Sequence, residues 1–482
     1  MSTNPRDVVR KRLQIERGTI YKDAPQRLVL VYPSPYHVAM SSLGFQTIYR
    51  QINDKPKRAA ERAFLPDFDR SDKRGKATLF SYESGRPLYD FPIVAFSIAY
   101  EPELSGLVKV LQLAHIPLFW QERDQSHPFV LCGGPLTFSN PLPLSPFADA
   151  ILIGEADQTI HQALDIVFDS RSRNEAREIL ASEIASCLVP AVHGAALRTK
   201  AVCDKAELPA FSSILTPNTE LSDMFLVEGV RGCAHRCSYC VMRRSAESSM
   251  RVVPKQVVLE LIPDEASRVG LVGAAISEHP DITEIIDTLA SRQLEVGLSS
   301  LRPEALDLQL VTALKKAGYR TLTTALDGAS QRLRDRVERN VRQDQIIQAA
   351  KLARLFNFKR LKLYVMIGLP DEEDRDIDEL IDFTEELARI HPLALGVAPF
   401  VPKLNTPLSQ APFAGIRLID DRLRRLRRAI GGKATLRSVS ARWAWVEYML
   451  AQGGPAHGRA VVKAVVKGGA FRDWKESLEN AE

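Results

Sequence analysis

The sequence predicts an α/β protein: an N-terminal Rossmann/flavodoxin-like parallel sheet, then a partial (β/α)6 TIM-like barrel, then a small helical C-terminal region. Short continuous apolar runs of the kind buried in parallel strands recur along both halves. Stretches with helical apolar spacing lie between them, and strands alternating with helices build parallel sheets. Most runs close on a turn rich in Gly, Pro or Ser, at the strand ends where such sheets bind ligands.

The length of 482 residues allows two to four domains. An apolar content of 45% and a charged content of 26% are those of an ordinary globular protein. A net charge of +5 is small for this size and does not by itself call for nucleic acid. No apolar run approaches the roughly 18 residues that span a bilayer, so no membrane association is expected. Met1-Ser-Thr-Asn-Pro-Arg6 has no apolar core behind it, unlike a secretory signal. Of the six cysteines, three crowd into one octapeptide, which argues against a disulfide framework and for a reducing, cytoplasmic setting.

In chain order, residues 1–25 are polar and read as a helix or arm. Arg27–Tyr32 is the first strand, stopped by Pro33-Ser-Pro35, and Met40–Ile52 follows with helical spacing. Ile93–Ile98, Phe129–Cys132 and Ala150–Ile153 are the next strands, with helices at about 103–113 and 158–168. Their turns are Gly133-Gly-Pro135 and Gly154-Glu-Ala-Asp157. This gives a domain over 1–175. The mixed, proline-containing stretch 176–223 reads as a linker. Six further βα units fill 224–410, with strands at 225–230, 269–272, 294–298, 319–324, 360–367 and 394–400. The tail, 411–482, reads as helical. Its arginine-rich stretch Asp421–Arg428 reads as a solvated face balanced by the acidic helix near 371–386.

The chemistry concentrates in Arg231-Gly-Cys-Ala-His-Arg-Cys-Ser-Tyr-Cys240. Cys233, Cys237 and Cys240 have C-x3-C-x2-C spacing, and thiolates bind soft metals and iron–sulfur clusters. A zinc site with His235 as fourth ligand is the alternative, although structural zinc normally joins two separated ligand pairs. Arg231, Arg236, Arg243 and Arg244 surround the loop, either easing reduction of an anionic cluster or forming an exposed basic loop.

This motif, with Tyr239 before the last cysteine, resembles the radical S-adenosylmethionine (SAM) superfamily. The resemblance covers about 224–410. It implies a [4Fe-4S] cluster on Cys233, Cys237 and Cys240 and an open iron that binds SAM, whose reductive cleavage gives a 5′-deoxyadenosyl radical. It implies SAM contacts at Tyr239, Gly273, Ser299, Arg302, Asp327 and Ser330. Gly273-Ala-Ala275 departs from the family's Gly-Gly-Glu pattern, and Asp327 stands where the family has Glu. Gly368-Leu-Pro370 and Pro402-Lys403…Thr406-Pro407 match two further family loops. A flavodoxin- or ferredoxin-type reductant is the implied partner.

The N-terminal half resembles the cobalamin-binding domain that precedes many such enzymes. The residues carrying this likeness are Pro33, Leu43, Gly44, Ser97, Gly133, Gly134, Gly154 and Glu155, which the resemblance implies as cobalamin contacts. The Asp-x-His-x-x-Gly signature is absent; His37 lies in the corresponding loop. The implied function is a cobalamin-dependent radical SAM methyltransferase acting on an unactivated carbon of an unknown substrate. Two alternatives stand beside it: a cobalamin-independent radical SAM enzyme, RNA-modifying in one form, and a non-catalytic SAM- or cobalamin-binding regulator.

Overall fold

A computed structural model describes residues 5–67, 78–244 and 249–481. The chain divides into two compact units, one of residues 1–224 with 449–482, the other of 225–448.

The first unit is built on a six-stranded sheet of order β2-β1-β3-β4-β5-β6. The strands are β1 (Gln26–Pro35), β2 (Arg58–Leu65), β3 (Ile93–Ser97), β4 (Phe129–Gly133), β5 (Ala150–Leu152) and β6 (Cys187–Leu188). The first five are parallel, with Leu28 opposite Ile93 and Phe96 opposite Cys132, and β6 closes the edge antiparallel to β5. The order reverses at β1, so β1 and β3 flank the topological switch point, where ligands of such sheets gather.

Strand β1 buries all of Leu28–Tyr32 because helices cover both faces. Strand β2 was not legible as a strand. Its Arg58, Glu61 and Arg62 interrupt any apolar run, yet all three are buried. Arg62 is held between Glu16, at 2.8 Å, and Glu83, at 2.6 Å, so its charge is paired on both sides. Residues 176–223, read as a linker, contain β6 and most of the helix Arg173–Glu183.

The C-terminal helices Pro455–Lys467 and Phe471–Glu479 belong to this unit. Gly458 lies so close to Pro143 that a Cβ there would come 2.2 Å from its carbonyl oxygen. Asn140 donates to the carbonyls of Ala451, at 3.0 Å, and Gly453, at 2.7 Å.

The second unit continues the βα alternation. Strands β7 (Met224–Glu228), β10 (Arg268–Val272) and β11 (Glu295–Leu298) form one sheet, and β8 (Val230–Gly232) and β9 (Met250–Val252) form an antiparallel ribbon. Strands β12 (Thr321–Ala325), β13 (Arg360–Ile367), β14 (Leu393–Pro399) and β15 (Ala434–Ser438) form a parallel sheet. The six strands read from the sequence are all present. Strand β15 is a seventh, inside the stretch expected to be helical. It is an edge strand whose Thr435 and Arg437 are exposed, so it lacks the apolar signature.

Helix Asp374–Ile390 buries Ile377, Leu380, Phe383 and Leu387, one stripe at helical spacing. Its acidic end and the turn before it meet the basic helix Ile416–Ala429: Arg425 pairs with Asp374 at 3.5 Å, and Arg422 with Glu372, ahead of the helix, at 2.7 Å. The arginine-rich stretch is thus the salt-bridged face the sequence indicated.

Candidate radical site

The three clustered cysteines lie between β8 and β9. Gly232 ends β8 with φ +82°, a conformation glycine adopts without steric cost, and turns the chain into the loop. Cys237 is buried, while Cys233 and Cys240 are partly exposed. Burial raises the Cys233 thiol above its ordinary range.

Two residues of the loop hold it to the segment between β12 and β13. The Ser238 amide donates to the Val337 carbonyl at 3.0 Å, and its hydroxyl to Glu338 at 2.7 Å. Tyr239 donates its phenol proton to Asp327 Oδ2 at 2.7 Å. Burial, with Asp327 beside it, pushes the Tyr239 phenol far up, so it stays a donor. Asp327 sits just past the carboxyl end of β12 with φ +62° and is paired through the same oxygen to Arg339 at 2.7 Å. Among the described residues no hydrogen bond reaches Asp327 Oδ1.

The His235 ring is engaged by a carboxylate. Its Nε2 lies 2.7 Å from Glu278 Oε1, and Glu278 in turn pairs with Arg302 at 3.1 Å. Arg302 is also bound by Glu304. Three thiols from one loop, with the nearby imidazole engaged by a carboxylate, are the donor set an iron–sulfur cubane takes from a three-cysteine motif, and the residues fit such a group. They do not form the four-ligand set of structural zinc.

Gly273 is pressed against β8: a Cβ would come 2.3 Å from Val230 Cγ2. Its N–H donates to Ser299 Oγ at 3.0 Å, and its carbonyl accepts from Ser299 at 2.9 Å and Ser300 at 3.1 Å. These serines hold the Gly273–Ala274 turn. Ser330 is fully buried; it caps the helix Gln331–Arg336 and donates to Asp376 at 2.5 Å, so its hydroxyl is engaged inside the fold. Arg231 pairs with Glu228 at 2.7 Å, and Lys403 with Glu447 at 2.7 Å. The side chains of Arg243 and Arg244 lie outside the described residues. Glu278, Ser300, Glu338 and Arg339 were missed in the sequence, because nothing local to them signals the long-range pairs they make.

At the carboxyl edge of the first sheet the fit to a corrinoid divides. Gly134, φ +103°, and Gly154, φ +98°, are required by the chain itself: a Cβ would come 2.6 Å from Ile98 O and 2.4 Å from Ala201 O. Glu155 accepts the Cys203 amide at 2.9 Å. Pro33 is buried. Gly44, by contrast, is exposed with open space around it, and a Cβ on Gly133 would meet only ordinary contacts. Leu43 and Ser97 are partly exposed. His37 is half-exposed, 3.6 Å from Asp67.

Residues 227–384 match the radical SAM superfamily model, and residues 44–190 match a model described as the N-terminal region of radical SAM proteins. The chain belongs to the radical SAM superfamily. Members of this superfamily use a [4Fe-4S] cluster and SAM. An uncharacterised Methanocaldococcus jannaschii protein, MJ0966, is 23% identical over 405 residues, 80% of each chain. A Pyrococcus horikoshii protein named an uncharacterised methyltransferase, PH0819, is 23% identical over 287 residues, 54% of this chain and 58% of that one. The Desulfosudis oleivorans ribosomal protein uS12 methylthiotransferase RimO is 26% identical over 184 residues, 34% of this chain and 41% of that one. Among solved structures, the cobalamin-dependent SAM radical enzyme OxsB shares the fold. Its apo form gives a TM-score of 0.53 at 12% identity, over 85% of this chain and 56% of that one. This radical SAM chain therefore spans little more than half of OxsB. No helix among the described residues is long and apolar enough to cross a membrane.

Proposed function

We propose that this radical SAM protein is an enzyme that holds a [4Fe-4S] cluster on Cys233, Cys237 and Cys240 and cleaves SAM. Its product is a methyl group transferred to an unactivated carbon, with cobalamin as methyl carrier. The observation that carries the reading is the three-cysteine loop tied through Tyr239 to Asp327 at the carboxyl end of β12. Cluster and SAM together supply one-electron cleavage of a sulfonium carbon–sulfur bond, and cobalamin supplies a transferable methyl.

The chain's own residues have distinct tasks in this account. The three thiolates bind iron. Tyr239 and Arg339 hold Asp327 Oδ2, so that Oδ1 faces a ligand as a hydrogen-bond acceptor for a ribose hydroxyl. Ser299 and Ser300 fix the Gly273–Ala274 turn. Arg302, between Glu278 and Glu304, positions His235 and the loop behind it. On the first unit, Leu43, Gly44, Ser97 and Gly133, at and beside the switch point, are the residues that would border a corrinoid. The doubly wound sheet and the methyltransferase name of one relative support this part.

A cobalamin-independent radical SAM enzyme is the second reading. It is favoured by one observation: Gly134, Gly154 and Glu155 are accounted for by contacts within the chain. The deciding experiment is anaerobic purification from cobalamin-fed cells, with corrinoid assayed by absorbance and mass spectrometry and 5′-deoxyadenosine assayed under reduction. Near-stoichiometric corrinoid supports the first reading. A cluster and SAM cleavage without corrinoid establish the second. No SAM cleavage removes both.

A further inference from the structure

The sheet β12–β15 borders a cavity of about 640 Å³ that none of the residues above uses. Small-molecule sites fall in the range of about 300–1,000 Å³. Strand β13 shows how it arises. Leu361, Leu363, Val365 and Ile367 are buried on one face, while Lys362 and Tyr364 stand on the other, and Tyr364 is 46% exposed. A face packed against protein would be apolar; this one carries hydroxyls and cations.

Four cations line the cavity, Lys359, Arg360, Lys362 and Arg437, and no carboxylate does. Among the described residues none of the four forms an ion pair. Lys362 Nζ instead donates to the Tyr364 hydroxyl at 2.7 Å. Tyr364 is opposite Gly396 in the β13–β14 register, and a Cβ on Gly396 would come 2.8 Å from the ring. The glycine lets the ring lie flat on β14, which sets the phenol and the Lys362 ammonium side by side. Like charges gathered without counter-charges repel, and a bound anion relieves that repulsion.

We propose that this cavity takes the substrate of the radical SAM domain, and that the substrate carries an oxyanion, phosphate or carboxylate, held by Lys362, Arg437 and the Tyr364 hydroxyl. This rests on the radical SAM reading. Thr323 lines the cavity within β12, and Asp327 lies just past that strand's carboxyl end, where its amide donates to the Tyr364 carbonyl at 3.2 Å.

The test is calorimetric titration of the anaerobically reconstituted full chain with inorganic pyrophosphate, citrate and uncharged ribose. The wild type binds at least one of the anions, more weakly as sodium chloride rises. The double variant Lys362→Gln/Arg437→Gln, with an unchanged melting midpoint, binds it at least tenfold more weakly. Lys362→Arg keeps binding within about threefold. Preference for pyrophosphate or citrate separates a phosphate from a carboxylate source. Binding of neither anion to the wild type, or binding unaffected by salt, overturns the proposal, and so does equal affinity in the double variant. Wild-type protein that binds the anion but neither holds iron nor cleaves SAM removes the radical SAM reading and leaves the anion site standing.

Discussion

Tyr239 and Asp327, 88 residues apart in the chain, are joined by a 2.7 Å hydrogen bond from the phenol to the carboxylate. The bond ties the cysteine loop to the carboxyl end of β12. Arg339, 5% exposed at its side chain, sits against the same carboxylate oxygen at 2.7 Å, so the pair is held together inside the fold. The cysteine loop and the carboxylate at the end of β12 are therefore one mechanical unit.

Tyr239→Phe removes the donor and leaves Arg339 to orient Asp327 alone. A hydrogen bond to a charged, largely buried acceptor contributes about 1.5–3 kcal/mol. The melting midpoint is expected to fall accordingly. The dissociation constant for SAM is expected to rise about tenfold, read by equilibrium titration, with bound iron retained. Unchanged SAM affinity would detach Asp327 from the site.

Two glycines at the first sheet's edge are expected to behave oppositely. Gly154→Ala places a Cβ 2.4 Å from the Ala201 carbonyl at φ +98°, and strain of that kind costs on the order of 1–3 kcal/mol. Gly44→Ala lies in the helix Leu43–Asn53 with open space around it, where alanine gains about 0.5–1 kcal/mol over glycine. Urea midpoints report both. A destabilised Gly44→Ala would mean that the surface around Gly44 is not open.

His161 governs part of the acid sensitivity. Burial, then Lys55 and Arg58, lower its pKa from 6.5 to about 4. Its Nδ1 accepts from Arg58 at 2.8 Å, a bond the protonated ring cannot make. The unfolded chain binds the extra proton between pH 6.5 and 4, so stability is full above that window and is lost as pH falls through it. The ring is only half-buried, so the loss is screened to about 1 kcal/mol. His161→Asn, whose amide oxygen takes the same hydrogen bond without titrating, should flatten that part of the stability–pH curve. A curve of unchanged slope would rule His161 out as the cause.

What could be read in the sequence followed from local pattern. The apolar strands, the turns at their ends and the three cysteines announce themselves within ten residues. Strand β2 did not, because its Arg58, Glu61 and Arg62 are buried by pairing with partners far along the chain. Strand β15 did not, because an edge strand with exposed Thr435 and Arg437 has only Leu436 to mark it. The joining of residues 449–482 to the first unit depends on Asn140 and Pro143, more than 300 positions away, and no spacing encodes that. Within the site, the cysteines, Tyr239 and Asp327 were legible as a motif. The pairs that orient them, through Arg339 and Glu338, and the chain His235–Glu278–Arg302 appear only in three dimensions.

The most direct test of the central claim is iron, sulfide and 5′-deoxyadenosine in wild type and Cys233→Ala, reconstituted anaerobically and reduced with SAM present. The account predicts about four irons and four sulfides per wild-type chain, with 5′-deoxyadenosine released, and loss of the product in the variant. One zinc per chain, with no iron retained and no 5′-deoxyadenosine formed, would contradict it.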